Sequence, residues 1–241
     1  MKIALIGYGK MGKTIERIAL SRGHEIVLKI GRGNSETFTA EAIKQADVAI
    51  EFTQPEAALE NVSKCLKAGV PVVCGTTGWN EDVPQAEALC AAYNTAMIQS
   101  SNFSLGVNIF FAVNKYLAQL MDKQDAYNVL VEETHHLQKL DAPSGTAITI
   151  AEQIIQQLSR KDTWAKEREN NPAELAIKAY REPEVPGTHV VTYHSEIDDI
   201  EIKHTAHTRD GFALGSVLAA EFLKGRQGVF TMQDVLFPDK A

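Results

Sequence analysis

Residues 133–147 read Glu-Thr-His-His-Leu-Gln-Lys-Leu-Asp-Ala-Pro-Ser-Gly-Thr-Ala, and they bring His135, His136 and Lys139 to the start of a helix. Histidine gives or takes a proton near neutral pH, and lysine offers a compact cation to a carboxylate, so the cluster suits general acid–base work on an acidic substrate. A His-His pair in a loop is by itself an ordinary polar surface. The helix start downstream of it is less ordinary. Residues 147–155 carry apolar side chains at three- and four-residue spacing, so Ser144 or Thr146 is a natural N-cap and the first turn has N–H groups without intrahelical partners. Gly145 lets an anion approach that backbone, and the helix dipole adds partial positive charge at the same point. Together these features suit a small, doubly negative substrate. Residues 127–132 form a β-like run that would place His135, His136 and Lys139 just past a strand's end, where loops commonly carry chemistry. Neighbours on an extended chain point to opposite sides, so His135 and His136 are not expected to share one role or one metal.

The elements that must position this cluster begin at the amino end. Residues 2–6 are a short apolar run, Gly7-Tyr8-Gly9-Lys10-Met11-Gly12 comes next, and residues 13–20 have helical periodicity. Strand, GxGxxG turn and helix in that order match the dinucleotide fingerprint, with the pyrophosphate on the helix N-terminus. The next strand, residues 25–30, ends at Gly31-Arg32-Gly33 without the acidic residue that would grip a ribose 2′-hydroxyl. Arg32 and Lys10 could instead accommodate a 2′-phosphate, which favours NADPH, or dual use with NADH. Strands at 46–53, 70–74 and 96–99 alternate with helices at 55–66 and 81–94, the pattern of a parallel sheet. Cofactor contacts are then expected at the strands' carboxyl ends, the second of which opens into the loop Gly75-Thr76-Thr77-Gly78.

Composition narrows the function classes. The net charge of −7 opposes nucleic acid or an anionic membrane as partner, leaving His135, His136, Lys139 and Arg209 to attract an anion locally. No apolar stretch is long enough to span a bilayer, and the chain opens on a strand without a leader, so a cytoplasmic protein is expected. Cys65, Cys74 and Cys90 fall in predicted helices or strand and read as reduced packing residues rather than catalytic thiols. Residues 160–171 read as a solvated helix end and connector. Residues 188–195 and 199–207 alternate as two paired strands, and His189, His194, His204 and His207 on them are expected at the strand surface, with no metal site. Residues 211–225 form an apolar helix closed by glycine, suited to pack back on the first domain.

The pattern Glu133-x-His135-His136-x-x-Lys139-x-Asp141-x-Pro143-Ser144-Gly145-Thr146-Ala147 closely resembles the signature of the 4-hydroxy-tetrahydrodipicolinate reductase (dihydrodipicolinate reductase) family. Supporting matches are Gly9-Lys10-Met11-Gly12, Phe52-Thr53-x-Pro55, Gly75-Thr76-Thr77-Gly78, Ser101-Asn102-Phe103-Ser104-x-Gly106-Val107-Asn108 and Arg209-x-Gly211-Phe212-Ala213. They leave only about residues 155–179 unanchored. The resemblance implies an α/β fold: a Rossmann-like dinucleotide-binding domain over residues 1–101 and 209–241, and an α+β substrate domain over 102–208 with a mixed, oligomer-forming sheet. It implies NAD(P)H-dependent reduction of 4-hydroxy-2,3,4,5-tetrahydrodipicolinate to 2,3,4,5-tetrahydrodipicolinate with loss of water, in diaminopimelate and lysine biosynthesis, by a homotetramer. His135 and Lys139 would be catalytic, either delivering the proton, while His136, Gly145, Thr146 and Arg209 would hold the dicarboxylate. The cofactor would lie over Gly7, Tyr8, Gly9, Lys10, Met11, Gly12, Arg32, Phe52, Thr53, Gly75, Thr76, Thr77, Ser100, Ser101, Asn102 and Phe103.

Several positions depart from the family pattern. The dinucleotide loop is one residue tighter than is common, Glu51 stands where aspartate is usual, the stretch between Ile30 and Asp47 is short, and Leu137 and Gln138 replace more basic residues. These bear on cofactor preference and on charge near the substrate. Two other readings use the same first domain: another nicotinamide-dependent amino-acid dehydrogenase, and a non-enzymatic NAD(P)H sensor.

Overall fold

The computed structural model describes residues 1–168, 171–208 and 210–238. In chain order the elements are β1 (Lys2–Ile6), α1 (Lys10–Ser21), β2 (Glu25–Ile30), α2 (Ala40–Ile43), β3 (Val48–Glu51), α3 (Pro55–Lys67), β4 (Val72–Cys74), α4 (Val83–Ala92) and β5 (Ala96–Gln99). Next come α5 (Leu105–Met121), β6 (Asn128–His135), α6 (Gly145–Ile155), β7 (Thr163–Lys166), β8 (Glu174–Arg181), β9 (Gly187–His194) and β10 (Asp199–Ala206). The chain ends with α7 (Asp210–Leu223), β11 (Gly228–Phe230) and α8 (Met232–Leu236). It divides into two compact units, Met1–Leu105 with Asp210–Ala241, and Gly106–Arg209.

The first unit is built on a six-stranded sheet of order β11-β5-β4-β3-β1-β2 whose pairs are all parallel. Its central strands are apolar on both faces, as a sheet covered on both sides requires. Alternation sorts them: Ala4, Ile6 and Ala49 face one core with α3 and α4, while Ile3, Leu5, Val48 and Ile50 face another with α1 and α7. The apolar carboxyl-terminal helix thus packs on this unit as its pattern requires. Strand order turns back between β1 and β3, so the crevice at their carboxyl ends is where such sheets bind ligands. The helix expected over 81–94 is shorter, starting at Val83 after a 3₁₀ turn at Asn80–Asp82.

The second unit is a mixed five-stranded sheet, β10-β9-β6-β8-β7, in which β9 runs antiparallel to β6 and β10, and β8 parallel to β6 and β7. Its core joins Val129, Val131, Val191 and Tyr193 to Phe110 and Phe111 of α5 and Ile150 and Ile154 of α6. The solvated connector expected at 160–171 is corrected. Thr163–Lys166 forms β7, and the Arg160 guanidinium donates to the carbonyls of Met121, Asp122 and Tyr127, so a charge read as surface decoration closes a chain junction. The helix α5 and the strands β8 and β11 have no counterpart among the sequence expectations. No described helix is long and apolar enough to cross a membrane.

Candidate active site

Strand periodicity builds the centre of the second unit. Along β6 every second residue is buried, so Val129, Val131, Glu133 and His135 share one face, apolar at one end and ionisable at the other. The antiparallel register sets His189 opposite Glu133, and Gly187 lies against His135, where an added Cβ would stand 3.1 Å from Nε2. His135 is therefore the last residue of the strand rather than past its end, and it is 8 % exposed. His189, expected at the surface, is 5 % exposed because it shares the inward face of β9 with Val191 and Tyr193. Its ring meets that of His135 edge-on, with centroids 5.2 Å apart. The surface reading holds for His194, which is exposed and paired with Asp199.

Glu133 is 1 % exposed. Its Oε1 accepts the Ser144 N–H at 2.9 Å and lies 3.4 Å from the Arg181 guanidinium, while its Oε2 faces His135 Nδ1 at 3.2 Å and His189 Nε2 at 3.9 Å. Burial raises the Glu133 pKa, but His135 and the Ser144 donors outweigh it and hold the carboxyl at about 2. Burial, then the neighbouring His135, pushes His189 down to about 3, so it is neutral at pH 7.

Both shifts are downward from ordinary values of 4.5 and 6.5, so below those values the unfolded chain binds more protons than the folded one. The His189 contribution is complete above pH 6.5 and lost as pH falls toward about 3, and that of Glu133 is complete above 4.5 and lost toward about 2. Thermal melts should therefore show stability declining from near-neutral to acid pH by several kcal/mol. His189→Gln should flatten the part of that decline above the glutamate range; an unchanged profile would refute a buried neutral His189.

Glu133, His135 and His189 each offer one ligand atom within 4.8 Å of the others, the only such acid–histidine grouping among the described residues. Arg181 on the same carboxylate places a fixed positive charge beside the position a metal dication would take, and favours proton handling over metal binding.

The loop after β6 is held by the same arginine. Arg181 donates from Nε to the Lys139 carbonyl at 3.3 Å and from a terminal nitrogen to the Asp141 carbonyl at 2.5 Å. Lys139 Nζ sits 2.9 Å from Asp141 Oδ2, which lowers the Asp141 carboxyl. Of the two N-cap candidates, Ser144 serves: its hydroxyl accepts the Ala147 N–H at 3.2 Å, and its Oγ lies 3.4 Å from His189 Nε2. Gly145 is exposed, with open space where a side chain would be, and Thr146 is next in the first turn. His136 has other surroundings from His135. It lines a cavity of about 420 Å³ with Gln138, Glu184, Pro186 and His207. Arg209 lies outside the described residues.

In the first unit the three glycines of the turn differ. Gly7 has φ +98°, and a Cβ there would meet the Phe52 carbonyl oxygen at 1.9 Å; at Gly12 it would meet the Gly7 oxygen at 2.4 Å; at Gly9 it would meet nothing within 4 Å. Gly9 is also the N-cap of α1 and supplies no side-chain cap. One glycine makes the turn, one closes it on the helix and one leaves the backbone open, which is the set of roles a dinucleotide pyrophosphate needs. Lys10 and Met11 open α1. Tyr8 donates its hydroxyl to Glu16, which also pairs with Lys29. Arg32 is exposed beyond β2, in a loop tied by Asn34 to the Gly31 N–H and the Lys29 carbonyl.

Phe52 and Thr53 come directly after β3, and Gly75 to Thr77 after β4. A Cβ at Gly75 would strike the Phe52 ring at 2.2 Å. Fully buried Glu51 accepts from Thr53 Oγ1, from Thr76 Oγ1 at 2.7 Å and from Cys74 Sγ at 3.1 Å, and the Thr53 N–H donates to Thr76 Oγ1 at 2.8 Å. Thr76 thus works as a clamp between two strand ends. Ser100 and Asn102 form a tight turn after β5, with Ser101 exposed on it, whereas the Phe103 side chain is core, so only its backbone is available to a ligand. Cys65, Cys74 and Cys90 are free and buried, as packing residues. Sequence reasoning gave no role to Glu133, Arg181 or His189, although the period-two spacing of Glu133 from His135 was visible.

A parallel sheet with an uncapped glycine turn, together with a mixed sheet carrying a buried acid–histidine cluster, defines a two-unit α/β protein of the dinucleotide-binding class. Residues 1–103 match the family described as dihydrodipicolinate reductase, N-terminus, and residues 106–236 match dihydrodipicolinate reductase, C-terminus. The chain belongs to the dihydrodipicolinate reductase family. It is 52% identical over 98% of both chains to the 4-hydroxy-tetrahydrodipicolinate reductase of Christiangramia forsetii. With that of Neisseria gonorrhoeae it shares 34% identity over 92% of this chain and 83% of the relative. Among solved structures it is similar to a dipicolinate-bound dihydrodipicolinate reductase from Paenisporosarcina sp. TG-14, with TM-score 0.76, 22% identity and coverage of 97% and 98%. An engineered D-amino acid dehydrogenase bound to NADP+ shares the fold at TM-score 0.51 and 13% identity, over 96% of this chain and 93% of that one. Membership makes the chain an oxidoreductase with NAD(P)H as cofactor, rather than a sensor.

Proposed function

We infer that this protein reduces 4-hydroxy-2,3,4,5-tetrahydrodipicolinate to 2,3,4,5-tetrahydrodipicolinate with loss of water, using NAD(P)H, in diaminopimelate and lysine biosynthesis. The observation that carries this reading within the chain is a buried histidine at a strand end, succeeded by an open helix N-terminus at Gly145. In this reading the unit containing Gly7 to Gly12 binds the cofactor, and the unit containing residues 133–147 binds the dicarboxylate. One substrate carboxylate docks on the Gly145 and Thr146 backbone at the start of α6, where N–H groups and the helix dipole favour an anion. The other is met by Lys139, which exchanges its Asp141 partner for it, by His136, and by Arg209. When bound, the nicotinamide supplies a hydride to C4 of the ring. The protein's own part is the proton. Elimination of the C4 hydroxyl as water removes a proton from the carbon between C4 and the imine, reduction returns one there, and His135 with Lys139 serves that exchange.

The test is purified protein with NADPH and substrate generated in situ from pyruvate and aspartate semialdehyde, monitored by loss of nicotinamide absorbance. Turnover is expected; its absence overturns the reading. The missing acid after β2 and the exposed Arg32 support use of NADPH. Arg32→Ala should lower kcat/KM about tenfold for NADPH, the worth of one charge-assisted contact, and leave NADH nearly unaffected. Equal losses with both cofactors would remove Arg32 from the site. A cytoplasmic homotetramer, joined through the face of the second sheet that bears Glu132, Thr134, Thr188 and Val190, completes the reading; light scattering and cell fractionation check it.

A further inference from the structure

Resting on the proposed reduction, we propose that Glu133 is its positioning residue: one buried carboxylate sets both the anion-binding end of α6 and the proton-exchanging ring of His135.

The two oxygens divide the work. Oε1 accepts the Ser144 N–H at 2.9 Å, at the N-cap of α6, and lies 3.4 Å from an arginine that also ties the carbonyls of Lys139 and Asp141. That oxygen fixes the loop and the helix end where the substrate docks. Oε2 and His135 Nδ1 are both sealed from solvent and have no aligned hydrogen bond, yet they face each other at 3.2 Å. A buried carboxylate oxygen and a buried ring nitrogen so placed are costly to leave unpaired, and a slight rotation completes the bond. The ring has little alternative orientation. His189 packs edge-on against it, and the absence of a side chain at Gly187, where a Cβ would stand 3.1 Å from Nε2, leaves room for the ring as it lies. With Nδ1 holding its proton toward Glu133, Nε2 is the atom left to exchange a proton with the substrate, the division of labour seen wherever a third group orients a catalytic base. His189, neutral and 3.4 Å from Ser144 Oγ, fills the remaining side without adding charge. His135 and the start of α6 therefore move as one body, because the same side chain holds both.

Glu133→Gln separates the functions. Glutamine keeps a carbonyl oxygen for the Ser144 N–H but turns an amide donor toward Nδ1, which forces the other tautomer. The expected result is a fall in kcat of about 100-fold with KM changed less than about threefold, since the helix end stays formed. In a His135→Gln background the same change should cost less than about threefold further, because there is no ring left to position. Equal losses in both backgrounds, a rise in KM alone, or a kcat within about threefold of the native protein would overturn the proposal. Nitrogen-15 NMR of the histidine-labelled native protein decides independently of whether the variant folds. Nδ1 of His135, assigned by loss of its signal in His135→Gln, should carry the proton; a protonated Nε2 with bare Nδ1 would overturn the pairing. If the native enzyme does not turn over the hydroxy-substrate, the reaction assignment fails, and the NMR result still decides whether Glu133 holds the ring.

Discussion

His135→Gln is expected to lower kcat by about two to four orders of magnitude, the usual worth of a positioned general acid or base, while the protein melts near the native temperature. Glutamine is close to histidine in volume and can occupy the space Gly187 leaves, so the buried strand end should close over it. KM should change far less than kcat, since the contacts assigned to the carboxylates lie on Lys139 and at the start of α6. Lys139→Ala should show the opposite split, with KM raised more than kcat is lowered. Steady-state kinetics on the two variants checks both, with thermal melts as the control for folding. A kcat loss below tenfold in His135→Gln, with a large one in Lys139→Ala, would move the proton donor to the lysine.

His135 was legible and its neighbours were not because their interactions differ in range. Strand, glycine turn and helix at the amino end are local, and their order along the chain is enough to predict the turn. The start of α6 is local too, from Ser144 to Ala147. Glu133 and His189 meet only because β9 pairs antiparallel with β6 on the side away from β8, a pairing made across the intervening α6, β7 and β8. Nothing nearby in the chain sets that register. On β9 the alternation was visible but its sense was not, because Val190 on one face and Val191 on the other are equally apolar. In α5 buried Asn114 interrupts the apolar stripe, and its amide nitrogen donates to the Ile150 carbonyl and to Gln153 of another helix, partners that sequence does not announce.

The same contrast between local and distant constraint separates the glycines of the first unit, and yields the second large effect. Gly9→Ala should leave the melting temperature nearly unchanged, because the added methyl meets no atom within 4 Å and the residue sits at an ordinary φ of −91°. It should weaken NADPH and NADH alike by about 100-fold, ~2.7 kcal/mol, since the methyl stands where the pyrophosphate must approach the uncapped N–H groups of α1. Gly7→Ala should do the reverse in order of cause. Its Cβ would lie 1.9 Å from the Phe52 carbonyl oxygen at positive φ, so the fold is damaged first and cofactor binding is lost as a consequence. Fluorescence titration with each cofactor, beside melts of both variants, distinguishes a glycine kept for a ligand from one kept for the chain. Undiminished binding in Gly9→Ala would mean that the amino end of α1 is not where the phosphates lie. The cofactor would then have to be sought along Thr53, Thr76 and Ser100 instead, where Glu51 and the Ser100–Asn102 turn already occupy much of the available hydrogen bonding.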